Sequence, residues 1–447
     1  MGSRLRDASR RGSGPSIAGV ERLDDVGTFW LATEPENEVH GALTFDPDSR
    51  GRLRLDGVLG LTGRPAGYVR LLGKSQEHAY TLERCFETNR KGAAVLAPAG
   101  LGVSTWSVGE VYTNVHFSAD EEIAFDRMMI ELEDLASWLG RNGITSDGAQ
   151  HVDGVWVATI EGKWLGRETV KTDFGDLDIT HNLGQRSHVP RELTLWQSFG
   201  MLIKLSSVVP KAELLEIASD IQDLVSMGID RPSAYTKVQF SHPDVVQDLG
   251  DSKSERVSID HFGRWIVTEG AYDLPPTDIA FSYVDIGGGP GLRSWFSLAA
   301  DHRSTLARIM AVRRPTGMYS EDRLLNAVAA AEGLHRDLTD LPGRTPLKAR
   351  LIHLAQLAGP RFEAGLASVD KWSEFLTEER HEHAHNRSQR PSSNVDHYRH
   401  MADSVYWLIV LCLLSQIPTA RPAIERVEGS SGFEIMTASV SEIVARL

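Results

Sequence analysis

The chain has 447 residues, 41% of them hydrophobic and 24% charged, the composition of an ordinary globular protein with room for two or three cores. A formal net charge of −14 argues against a protein that coats nucleic acid non-specifically, because that needs a concentrated positive field; a local basic site stays open. Only Cys85 and Cys412 are present, far apart and in apolar surroundings, which leaves neither a disulfide framework nor a cysteine-rich zinc site and fits a reducing cytoplasm.

Met1 to Gly14 is rich in Arg, Ser and Gly without an apolar segment, so residues 1–20 read as a flexible lead-in rather than a secretion signal. Short alternating runs follow at Thr28–Leu31, Gly41–Phe45, Leu53–Leu55 and Ala79–Leu82, with a turn at Asp46-Pro47-Asp48 and Gly51. They predict an antiparallel sheet in a first β-rich domain, residues 21–145. Within it Phe125, Met128, Met129, Leu132, Leu135 and Leu139 recur at three- and four-residue steps and predict an amphipathic helix ended by Gly140 and Gly143. Residues 146–291 form a second β-rich region, continuous with the first or separate. Strands are expected at Val155–Ile160, Leu193–Trp196, Leu202–Leu205, Tyr235–Phe240 and Ile279–Val284, and a helix opening at Pro210. A sheet-and-helix pattern thus reads as if it occurs twice, and Asp244 to Arg256 reads as an exposed polar loop.

Beyond Gly287–Gly291 the chain turns helical, and residues 292–447 are expected to form an all-α bundle; the class is α+β. Helices are expected at Leu292–Val312, Ser320–Leu338, Pro346–Leu357, Phe362 to about Glu379, and Val395–Ser415. The glycine run lacks a following Lys-Ser or Lys-Thr and opens no Gly-x-Gly-x-x-Gly unit, so it reads as a linker. The apolar run Val405–Leu414 is about half of the roughly 20 residues a membrane span requires, and predicts a buried helix.

Chemistry concentrates between the last two of these helices. Arg380, His381, His383, His385, Arg387 and Arg390 lie within one short stretch. Imidazoles exchange protons near neutral pH and guanidiniums match phosphate geometry, a combination suited to phosphodiester chemistry. His381-Glu382-His383-Ala384-His385 also matches His-Glu-x-x-His, the helical zinc signature, but Ser388 and Pro391 stand where an extended zinc motif needs glycine and histidine. A third reading is a polar helix end whose cations meet the helix dipole. On an uninterrupted helix Arg380 and His385 would lie roughly 140° apart, so both reach one phosphate only through a break near Asn386 or through two chains. Glu332 and His335, on the second expected bundle helix, are candidates to face the motif, or are ordinary structural residues. Arg387 and Arg390 are candidates for flanking phosphates or a solvated charged surface.

Arg-x-x-x-x-His between two helices of a C-terminal bundle resembles the motif of HEPN ribonucleases, and the surrounding helices look like the ApeA-like branch. Val26–Leu31, His40–Phe45, Leu53–Gly57, Tyr80–Leu82 and Leu135–Leu139 are similar to the N-terminal domain of ApeA anti-phage proteins, so the resemblance covers most of the chain. It implies a metal-independent endoribonuclease of abortive-infection defence, without cofactor, acting on RNA such as tRNA anticodon loops. It also implies pairing into a homodimer, no membrane, and an N-terminal half that senses a phage-derived trigger. His385 would then handle protons as a 2′-hydroxyl attacks the adjacent phosphate, and Arg380 would stabilise that phosphate. His381 stands where the family has a polar residue, and Asn386 where glycine often stands. The rival from another class is a non-catalytic RNA- or protein-binding module of the same shape.

Overall fold

A computed structural model describes residues 22–46, 50–60, 67–91, 102–153, 155–188, 192–250, 254–263, 279–313, 318–339, 344–384 and 395–447. The expected lead-in lies outside the described residues. The chain divides into two units, Met1–Ile123 with Tyr235–Ala271, and Ala124–Ala234 with Tyr272–Leu447.

The first unit begins with β1 (Leu23–Leu31), β2 (Glu34–Phe45), β3 (Gly51–Leu55), β4 (Val69–Lys74), β5 (Ala79–Lys91), β6 (Val103–Val108) and β7 (Glu110–Thr113). The expected antiparallel sheet is present and closes on itself. β5 pairs with β4 on one side and β6 on the other, completing the ring β5-β4-β1-β2-β3-β6. Closure leaves these strands without unpaired edges. β3 shows the alternation that drives it, with Leu53 and Leu55 buried and Arg52 and Arg54 exposed. Phe29, Leu43, Phe45, Leu71, Tyr80, Leu82, Trp106 and Val108 fill the interior together with Cys85, a free thiol.

The second unit opens with β8 (Ala124–Leu132), α1 (Leu135–Leu139), β9 (Ile144–Val152), β10 (Val155–Gly162), β11 (Glu168–Thr172), β12 (Gly175–His188), β13 (Glu192–Pro210) and α2 (Lys211–Gly228). The helix expected over Phe125–Leu139 is therefore a strand followed by one short helical turn. Phe125, Met128, Leu132, Leu135 and Leu139 satisfy the helical spacing by coincidence, whereas Met128, Ile130 and Leu132 are buried at every second residue. β8 pairs with β13 through Met201↔Ile130 and Ile203↔Met128. Cross-strand pairing overrides the local pattern here, and without that helix the sheet-and-helix pattern does not repeat. The two strands expected near Leu193 and Leu202 are the single strand β13, and the order β11-β12-β13-β8 completes an antiparallel sheet.

β14 (Tyr235–Ser241), β15 (Val246–Asp248), β16 (Ser254–Arg256) and β17 (Ile259–Phe262) return to the first unit. The expected polar loop carries the small hairpin β15–β16, and β14 and β17 extend the barrel sheet from β7.

The helices of the second unit are α3 (Gly289–Asp301), α4 (Arg303–Arg313), α5 (Ser320–Leu338), α6 (Leu347–Ala358), α7 (Pro360–Gly365), α8 (Val369–Ala384), α9 (Val395–Ser415), α10 (Arg421–Glu428) and α11 (Ser431–Arg446). The expected helix Leu292–Val312 breaks at His302, which is buried with Nδ1 3.3 Å from Asp337 Oδ2. The expected helix from Phe362 breaks near Ala367, whose φ is +59°. Ile279–Val284 is not a strand. Its backbone caps two helix ends instead, Phe281 N donating to Gly228 O and Tyr283 N to Trp138 O, and Ser282 turns on Asp285.

The glycine run is a packed turn and helix start rather than a slack linker. Gly287 and Gly288 have φ of +90° and +65°, and the missing side chain of Gly291 leaves room for the Ile286 carbonyl, which accepts from Thr419 Oγ1 at 2.6 Å. α9 carries the expected buried run, with Val405–Leu414 all inaccessible and Cys412 a free thiol among them. Trp372 Nε1 of α8 donates to Ser404 Oγ of α9 at 2.9 Å. Arg313, ending α4, joins the turn after α2 to α9. It pairs with Asp230, donates to that residue's carbonyl at 2.8 Å, approaches Asp403 at 3.3 Å and lies over the Tyr406 ring at 4.4 Å. Among the described residues no helix is long and apolar enough to cross a membrane.

Candidate functional site

α8 builds the site because its apolar side is anchored first. Trp372 and Leu376 are fully buried, and the next residue on that side, Glu379, is buried as a polar group that accepts from Tyr398 Oη of α9 at 3.1 Å. Such a carboxylate needs its hydrogen bonds to remain inside. It fixes the rotation of the helix, which places Arg380 on the shoulder between core and solvent.

There Arg380 Nη2 donates to Glu332 Oε2 of α5 at 2.9 Å. The other oxygen of Glu332 accepts from Arg336, one turn further along α5. Two guanidiniums thus share the one carboxylate of Glu332. The Arg380 side chain is 40% exposed and Glu332 17%. A fixed, half-exposed guanidinium with further N–H groups to offer is suited to a phosphate oxygen. His381 is exposed and Glu382 partly buried as α8 runs on to Ala384. His385, Asn386, Arg387 and Arg390 lie outside the described residues, and with His385 goes the last member of His-Glu-x-x-His. Among the described residues no three His, Cys, Asp or Glu side chains gather as a metal site requires.

Of the two α5 candidates, Glu332 meets Arg380 and His335 does not. His335 is fully buried toward α6, where Arg350 Nη1 donates to its Nδ1 at 3.5 Å and its Nε2 lies 3.2 Å from His353 Nδ1. Arginine can only donate, so Nδ1 of His335 is the acceptor and Nε2–H faces His353. Burial, then the Arg350 charge, then His353 push the His335 pKa down to about 4. The unfolded chain therefore binds the proton more tightly between the ordinary value of 6.5 and about 4, and the contribution of neutral His335 to stability is lost as pH falls through that window. It is worth on the order of 3 kcal/mol. Urea unfolding of the wild type and His335→Gln at pH 7 and pH 4.5 should show the wild type losing more stability on acidification. Equal losses would contradict the assignment.

Sequence reasoning passed over Arg336, Arg350, His353, Glu379 and Tyr398. Arg336 had a readable signal, its i, i+4 spacing from Glu332. The others became legible only when α5, α6, α8 and α9 were brought together.

Residues 26–287 match the family model for ApeA N-terminal domain 1. The helices from α3 onward follow that match. No curated protein and no solved structure matches the chain.

Proposed function

The chain belongs to the ApeA N-terminal domain 1 family, and from that premise we propose that its helical bundle is a HEPN-type, metal-independent endoribonuclease of abortive-infection defence, gated by the family domain. The observation that carries this reading is the Arg380–Glu332 pair. It presents a positioned guanidinium on the helix that runs toward the histidine five residues on. RNA is the substrate, with tRNA anticodon loops one candidate target.

The reaction follows from RNA's own nucleophile. A 2′-oxygen attacks the adjacent phosphorus as its proton is taken up, the 5′-oxygen leaves with a proton, and the products are a 2′,3′-cyclic phosphate and a 5′-hydroxyl. Charge accumulates on the non-bridging oxygens in the transition state, where a preorganised guanidinium acts most strongly. That role falls to Arg380. His385 moves the protons, since a group titrating near neutrality suits both transfers. His381, Asn386, Arg387 and Arg390 are the residues that support the site or hold neighbouring phosphates. Two chains pair through their helical regions so that both motifs address one cleft, which answers the roughly 140° separation on a single helix.

The test is incubation of the purified chain with total bacterial RNA in chelator, beside His385→Ala. Chelator-resistant cleavage with cyclic phosphate ends, lost in the variant, is the expected result. Cleavage that survives the substitution would remove His385 from the site, and RNA binding without cleavage in a phage-activated extract would favour the binding-module reading.

A further inference from the structure

A second polar site lies far from Arg380 in sequence, in the β-rich part of the second unit. Arg141 and Asn142, following α1, and Leu165, Arg167 and Glu168, leading into β11, line an open cleft of about 500 Å³. Sites for small organic ligands run from roughly 300 to 1,000 Å³.

The cleft is wired from behind. Leu165 N donates to His181 Nδ1 at 3.1 Å, which leaves Nε2–H of this buried histidine to donate to Gln197 Oε1 at 3.2 Å. Gly143 N donates to the same Oε1 at 2.8 Å, so the amide orientation of Gln197 is fixed. Its Nε2 then donates to Asn142 Oδ1 at 2.6 Å, and Ile144 N donates to that oxygen too, at 2.9 Å. With both inward bonds on Oδ1, the exposed Asn142 presents its NH₂ donors outward.

The charges point the same way. Glu168 is used internally, one oxygen bonded by Arg141 and the other accepting from Tyr283 Oη at 2.6 Å, while the Arg141 guanidinium lies 5.4 Å from the Tyr283 ring centroid. Arg167, 58% exposed, stands 3.3 Å from Asp178, a fully buried carboxylate that also has Lys204 at 2.9 Å and the Thr169 hydroxyl at 2.6 Å. Of the side chains that line the cleft, Arg141 and Arg167 are cationic and Glu168 is anionic, so the lining carries one net positive charge, and the buried Asp178 beneath Arg167 is met by Lys204 as well. The cleft thus offers two guanidiniums and an amide NH₂ as donors, beside the Glu168 carboxylate already engaged by Arg141 and Tyr283 and an apolar wall at Leu165. Its neighbour Trp164 is 65% exposed, with its indole N–H already given to His181 O at 2.9 Å.

We propose that this cleft binds a free nucleotide, its phosphate held by Arg141, Asn142 and Arg167 and its base set against Leu165 and Trp164. A phosphate offers more acceptor oxygens than a carboxylate to three separate donors. Inorganic phosphate would leave most of the volume empty, and an exposed indole is a stacking surface for a base.

Titration calorimetry of the full chain with AMP tests this, beside Asn142→Asp and Arg167→Leu. Aspartate keeps an oxygen for Gln197 and Ile144 but replaces the outward donors with negative charge, and Asp178 retains Lys204 and Thr169 when Arg167 is lost, so both variants are expected to fold. The expected result is saturable one-to-one binding, weakened at least tenfold in each variant, unchanged in Arg380→Ala, and not displaced by adenosine or succinate. The proposal is overturned by no saturable binding at 5 mM AMP, or by binding that stays within twofold in both variants. Displacement by adenosine or succinate at equal concentration would overturn it as well, as would binding of a 5′-phosphorylated oligoribonucleotide in place of AMP.

Discussion

Arg380→Ala is expected to slow RNA cleavage by about 100- to 1,000-fold, the usual cost of removing one preorganised donor to a transition-state oxyanion. The loss should fall on kcat and kcat/KM together, because the interaction strengthens as charge builds on phosphorus. The fold should survive. The pair with Glu332 is partly exposed, with Arg380 at 40%, and such pairs contribute about 0–1 kcal/mol. Glu332 also keeps Arg336 as a partner. Arg380→Lys retains charge but not the planar fork and should recover only part of the rate. Glu332→Gln keeps shape and an acceptor while releasing the guanidinium from its fixed orientation, so a loss of about tenfold marks Glu332 as a positioning residue. Single-turnover cleavage of a defined tRNA, with a thermal melt on each variant, reads both quantities. Full activity in Arg380→Ala would remove this guanidinium from the mechanism.

The second large effect is on stability. Arg313→Met is expected to destabilise the second unit by about 2–3 kcal/mol, somewhat less than the roughly 3–5 kcal/mol that breaking a fully buried ion pair costs. The discount follows from exposure, since the Arg313 side chain is 19% accessible and Asp230 and Asp403 are each 24%. Methionine fills much of the space beside Tyr406, so the loss reports two carboxylates left without their shared cation rather than a cavity. Burial first, with the nearby Asp403 charge, already raises Asp230 to about 6 against the opposing pull of Arg313. A carboxyl raised in the folded state stabilises at low pH, and that contribution is lost as pH rises through the folded value. Removing Arg313 raises it further, so the penalty should be larger at pH 8 than at pH 5. Urea titrations at both pH values check this, and Asp230→Asn in the Arg313→Met background should restore part of the loss. A penalty independent of pH would mean that packing, not charge, holds this corner.

The path from sequence to site was uneven for physical reasons. Strands such as Leu53–Leu55 were legible because one face is buried and the other wet, and α5 and α9 because their apolar stripes are long. Closure of the barrel was not legible, since it depends on β5 meeting β6 across an intervening segment. The false helix over Phe125–Leu139 arose where strand and turn together mimic a helical period. α10 and α11 passed unnoticed, although Ser430 is a readable cap whose Oγ accepts from Phe433 N at 3.3 Å. At the site, residue type alone nominated both Glu332 and His335. Only the rotation of α5 against α8 and α6 separates the carboxylate that meets Arg380 from the imidazole that turns away to His353.

The two thiols have a practical meaning. Cys85 is sealed in the barrel and Cys412 in α9, and burial raises both thiol pKa values, Cys412 to about 12. At neutral pH the nucleophilic thiolate is scarce and inaccessible at both positions. The native chain is therefore a silent background for maleimide chemistry. A cysteine placed at Tyr319, where the side chain is 76% exposed ahead of α5, would take a probe at one defined point without first stripping the protein of its own sulfur.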